Sequence, residues 1–183
     1  MKRIVFFMLF SLLVVVSSFS QVQNKFFGAT IGVSDLNTTY SCMYNYFEVK
    51  PAFPFGIMSL ANKVYAGYKW DAINAHFRNG KFFKLNLIYH GNLKADSYSI
   101  KTIYAHLEQE LKNKYGGRVS LTVIPDEYGQ SGIIYFDGRY AVSLIKRWQI
   151  NERNEKEYHE VQLWYWDENL KNEPERPIIN DDL

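Results

Sequence analysis

GYKWDAINAHFRNGKFFKLNLIY, residues 67–89, holds the pattern around which the rest of the chain is arranged. It reads as two strands turning at Arg78-Asn79-Gly80, and the open question is the length of the turn. A two-residue Asn79-Gly80 turn would set Trp70 opposite Tyr89 and Ile73 opposite Asn86, mixing apolar and polar residues on both faces. A three-residue loop, with Gly80 left-handed as a bulge, moves the register by one. Phe77 then faces Lys81, Ala75 faces Phe83, Ile73 faces Leu85 and Asp71 faces Leu87. One face becomes largely apolar, while the other carries Trp70, Asn74, His76, Phe82, Lys84 and Asn86. A one-residue slip turns every side chain to the other face, so burial selects the three-residue loop.

On the N-terminal side, Leu36, Tyr40, Met43, Tyr44 and Phe47 recur at helical spacing behind Ser34 as N-cap, and Pro51 and Pro54 end the helix. A strand over residues 57–65 then leads into the hairpin. On the C-terminal side, Ile100, Ile103, Tyr104, Leu107, Leu111 and Tyr115 form an apolar stripe, stopped by Gly116-Gly117. After an extended segment over 118–124 and a turn at Pro125-Asp126-Glu127, strands are expected over 132–136, 139–149 and 158–166. The last two align with the first hairpin. Ile73 matches Leu144, Phe77 matches Trp148, Phe82 matches Tyr158, Leu85 matches Val161 and Leu87 matches Leu163. The fold expected is therefore α+β, as two helix-plus-antiparallel-meander repeats (αβββ-αβββ) with the helices packed on one face of the sheet. The single domain covers 21–166, and an acidic, aperiodic segment over 167–183 is expected to be a mobile tail.

The first residues follow a different logic. Lys2 and Arg3 precede an apolar run over 4–16, and Ser18-Phe19-Ser20 offers small residues for cleavage. That is a signal peptide over 1–20, too short for a bilayer span of about 20 residues. The mature chain is expected in the periplasm or secreted. No cysteine follows the run, so no stable membrane anchor is expected. Lys2 and Arg3 also account for the whole formal charge of +2. Without them the chain is neutral, which gives no support to nucleic-acid binding. The lone Cys42 excludes an internal disulfide and reads as a buried thiol.

The lead-in Phe27-Gly28 … Ile31-Gly32-Val33-Ser34-Asp35-Leu36 and the Tyr65-Ala66-Gly67 bend before the hairpin resemble the β-lactamase-inhibitor-protein-like fold. Small outer-membrane assembly lipoproteins of the SmpA/OmlA type share that fold unit, and the chain is also similar to small exported bacterial proteins of unknown function. The resemblance implies a two-repeat architecture. The inhibitor's cysteines and a lipobox are both missing, so it carries over neither inhibition nor anchoring, and no functional residue.

A search for chemistry finds little. His76, His90, His106 and His159 form no HxH, HExxH or CxxC-type ligand set, and no serine elbow or phosphate loop is present. Catalytic residues, metals and cofactors are therefore not expected. Aromatic content is the unusual feature, at 17% with 14 Tyr and 4 Trp. Strand parity places Tyr158, Trp164 and Trp166 on the face away from Val161, Leu163 and Tyr165, with Trp70, His76 and Phe82 on the matching face of the first hairpin and Arg147 nearby. An aromatic surface interleaved with polar groups suits a protein, peptide or glycan of the cell envelope. If helices or the C-terminal segment covered both faces, these aromatics would instead be a second core. The expected function is an exported, non-enzymatic binding module whose site is Trp70, His76, Phe82, Arg147, Tyr158, Trp164 and Trp166. The alternative is a hydrolase with a dispersed site, and a dimer is left open.

Overall fold

The computed structural model describes residues 21–91 and 97–175. In chain order the elements are β1 (Lys25–Phe26), β2 (Ala29–Thr30), α1 (Leu36–Phe47), β3 (Ile57–Tyr65), β4 (Tyr68–Arg78), β5 (Lys81–His90), α2 (Ser97–Tyr115), β6 (Ser120–Glu127), β7 (Gln130–Phe136), β8 (Tyr140–Ile150), β9 (Lys156–Asp167) and α3 (Glu168–Asn172). Strands β3 to β9 make one antiparallel sheet in the order β3-β4-β5-β9-β8-β7-β6.

The turn of the first hairpin corrects the expected three-residue loop. Asn79 and Gly80 both take left-handed φ angles, 52° and 76°, and Arg78 pairs directly with Lys81. This is the two-residue turn whose twist matches that of the strands. The mixed faces that such a turn would produce are avoided one step later. The register shifts between His76 and Phe77, leaving Phe83 as an extra residue in β5. Beyond this bulge Ala75 pairs with Leu85 and Ile73 with Leu87, all buried. The β8–β9 hairpin shifts at the corresponding place. Arg147 pairs with Glu160 and Trp148 with Tyr158, leaving His159 extra.

The expected pair of equal αβββ repeats is overturned. The molecule is mostly β, and its second half contributes four strands to the sheet against three from the first. The added strand is β6, which contains the Pro125 expected to make a turn. It lies at the edge of the sheet, where a residue without an N–H is tolerated because one side of the strand has no partner. Nor does α1 serve as the cover of a meander of its own, since it docks on β2 and the start of β5. Its N-cap is Asp35, which accepts from the Thr38 N–H at 2.7 Å, while the expected cap Ser34 accepts from the Thr30 N–H.

The core lies between the sheet and α2. Ile100, Tyr104, Leu107, Leu111 and Tyr115 are buried against β8 and β9, above Val142, Leu144, Val161, Leu163 and Tyr165. The chain before α1 closes one side of this core. Phe26 meets Tyr165 with ring centroids 4.7 Å apart, and the Gly32 N–H donates to the Phe82 carbonyl. The segment expected as a tail begins as structure. Asp167 is fully buried, accepts the Asn169 and Leu170 N–H groups as the N-cap of α3, and pairs with Arg139 at 3.0 Å. Leu170 is buried, and Arg78 donates to its carbonyl. Residues 1–20, read as a signal peptide, and 176–183 lie outside the described residues. No helix among the described residues is long and apolar enough to cross a membrane.

Candidate ligand-binding face

The sheet face away from α2 is organised by register into rows that run across the strands. One row reads Ile57, His76, Lys84, Trp166, Ala141, Phe136. The next reads Ser59, Asn74, Asn86, Trp164, Ser143, Ile134, and the third Ala61, Ala72, Ile88, Gln162, Ile145, Gly132. A fourth, shorter row holds His90, Glu160 and Arg147. The long helix α2 lies on the opposite side, and α3 reaches this face at Trp166, through Glu168 and Lys171.

Trp164 and Trp166 are half-buried at the centre. The Trp164 indole N–H donates to Gln162 Oε1 at 2.7 Å, and the Gln162 amide donates in turn to the Glu160 carboxylate. Arg147 Nε approaches the same Glu160 oxygen at 3.5 Å, and His90 Nδ1 lies 3.2 Å from the other. The Trp166 N–H donates to the Glu168 carboxylate, which Lys171 also pairs with at 3.0 Å. Both indole donors are therefore used inside the protein. The rings are fixed by them and offer apolar surface rather than hydrogen bonds.

Three neighbouring groups are less well served. The Lys84 ammonium sits 4.4 Å above the Trp164 ring, and no carboxylate among the described residues forms an ion pair with it. Burial, and then the nearby Lys171, holds its pKa below the usual lysine value. His76 stacks beside Trp164, with centroids 6.3 Å apart and planes within 19°. Burial, helped by Lys84, pushes its pKa down to about 4, so the ring is neutral at ordinary pH. Its Nε2 is buried with no hydrogen-bond partner among the described residues, and so is Oδ1 of Asn86, a side chain only 4% exposed.

No protein-family model, curated protein or solved structure matches this chain. Its site is read from its own geometry.

Of the residues expected to form the site, His76, Arg147, Trp164 and Trp166 share this face. Trp70, Phe82 and Tyr158 do not, and each departure has a local cause. Trp70 is 1% exposed and lies with Leu107, Leu163 and Tyr165 on the helix side. The alternation of β4 breaks between Trp70 and Ile73, opposite Asn62 with its left-handed φ of 53°. There the Trp70 N–H donates to the Tyr65 carbonyl at 3.0 Å. Phe82 is fully buried, because the bulge at Phe83 turns it inward and sends Phe83 outward against His76, with ring centroids 6.4 Å apart. Tyr158 is turned the same way by the bulge at His159, and packs on the core beneath the Lys101 and Lys146 ammonium groups. The sequence reading puts Lys84 and Asn86 on this face without counting them in the site, and it leaves out Gln162 and Lys171 altogether. Gln162 shares strand parity with Trp164 on β9, which is the signal that could have found it.

The face can therefore receive a flat apolar surface on the indoles, a donor at Asn86 and an anion at Lys84. The Glu160 carboxylate, engaged by three partners, acts as a brace.

Proposed function

We propose that the protein is an exported, non-enzymatic binding module that takes a protein, peptide or glycan of the cell envelope on this sheet face. One observation carries the reading. Two tryptophans, two residues apart on β9, have their N–H groups committed to the protein and their rings held half-buried on the face away from α2. Rigid aromatic anchors of this kind supply a large share of binding energy at little cost in side-chain entropy.

The test is the double variant Trp164→Ser with Trp166→Ser, probed on arrays of immobilised glycans and peptides. The parent is expected to bind a restricted set, and the variant to lose that set while melting cooperatively. A variant that folds and binds as the parent does would place the site elsewhere. One that unfolds would make these tryptophans part of the core.

A further inference from the structure

We infer that the ligand on this face is an acidic glycan, with one uronate or sulfated sugar ring placed over Trp164, its anion on Lys84 and a hydroxyl on Asn86. The inference rests on the binding-module reading and names its ligand class.

Lys84 is a half-buried cation whose ammonium lies over the Trp164 ring with no ion pair among the described residues, whereas Lys171 is already paired with Glu168 at 3.0 Å. A partly desolvated cation without a counter-charge is unfavourable, and an anion would relieve it. Asn86 Oδ1 is a buried acceptor that requires a donor, and His76 Nε2 is a buried nitrogen that donates or accepts according to tautomer. A sugar hydroxyl is both donor and acceptor, so it meets either nitrogen form and the amide oxygen alike. Trp164 supplies the remaining element. Its N–H is spent on Gln162, so only its ring is left to contact a ligand, and the C–H face of a pyranose is the matching surface.

An acidic peptide would satisfy Lys84 but not the rest. A peptide held by strand addition needs a free sheet edge, and this face lies in the middle of the sheet, where β4, β5, β8 and β9 all have partners on both sides. What it offers is side chains, with the Trp164 ring as a platform for a rigid ring. Lys84 also provides the route in. Its ammonium now occupies the Trp164 ring, and a ligand anion would draw this flexible side chain aside and open the indole, whose cross-strand neighbour is Asn86.

The test is calorimetric titration of the chain with oligogalacturonate, a heparin oligosaccharide, a neutral cello-oligosaccharide and poly-glutamate, with tryptophan fluorescence as a second readout. At least one acidic glycan should bind and change the fluorescence, with the neutral sugar and poly-glutamate at least about tenfold weaker. Lys84→Gln should cost about tenfold for the acidic glycan and weaken its salt dependence, whereas Lys84→Arg should retain binding. Asn86→Asp, which sets a second acidic group against the ligand, should abolish it.

Equal binding of neutral and acidic glycans, with Lys84→Gln silent, overturns the acidic ligand and leaves the module reading standing. Poly-glutamate binding as well as the uronate shows attraction by charge alone, and also overturns it. Failure of both acidic glycans overturns it too. The module reading falls separately, if the Trp164/Trp166 double variant keeps the parent's array profile.

Discussion

His76 refuses a proton until about pH 4, whereas an unfolded histidine takes one up near 6.5. Between those values the unfolded chain binds a proton that the folded chain does not. The folding free energy is therefore complete above pH 6.5 and falls as the pH drops toward 4. Discounted for the partial exposure of the residue, the loss is about 1–2 kcal/mol. His76→Phe keeps a ring beside Trp164 and removes the titrating group, so urea melts at pH 7 and pH 4.5 should differ less for the variant than for the parent. Asp35 acts in a lower window, since the Thr38 N–H holds its carboxyl below the ordinary value. On the other side of the sheet, Leu107 is 4% exposed in the α2 stripe. Leu107→Asp loses that packing and buries a charge, and should cost about 3–5 kcal/mol by the same urea melts. A midpoint close to the parent's would mean that the helix is not seated as described.

Among the elements, α3 is the one whose removal tests the fold most directly. Ending the chain at Asp167 takes away buried Leu170, two carbonyl acceptors of Arg78 and the N–H groups that Asp167 caps. The burial of one leucine, about 2 kcal/mol, predicts a melting temperature lower by about 4–8 °C, read by circular dichroism. The sequence concealed this helix because Leu170 is the only apolar residue in its five, and one residue makes no period. By contrast α2 was plain, because a continuous stripe at helical spacing has no other use. The β4–β5 hairpin was legible by half. Burial dictates which side chains share a face, but a three-residue loop and a two-residue turn followed by a bulge give the same faces beyond Phe83. They differ by two residues in pairing, and apolar pattern does not separate them. Bulges also explain why Phe82 and Tyr158 were expected on the wrong side, since alternation carries no information through an extra residue. β6 reads in sequence as an extended segment over 118–124 cut short at Pro125, which looks like a breaker until its place at the edge is known.

Across the molecule, the sheet is joined by β5 and β9, whose paired residues run from His90 with Glu160 to Lys84 with Trp166, far apart in sequence and the link between its two halves. Strands so distant close slowly, and refolding from denaturant should take milliseconds to seconds, with yield falling as protein concentration rises. Stopped-flow tryptophan fluorescence checks the rate and light scattering the losses. The same pairing sets an order of events during synthesis. β9 is the last strand of the sheet to be made, and it fits between two strands already present. Until it arrives, β5 and β8 are both unfinished edges, with Leu85, Leu87, Val142 and Leu144 beside the gap. A growing chain therefore cannot bank its first half as a folded unit. It remains an open template, able to accept a strand from another molecule, until almost its last described residue has emerged.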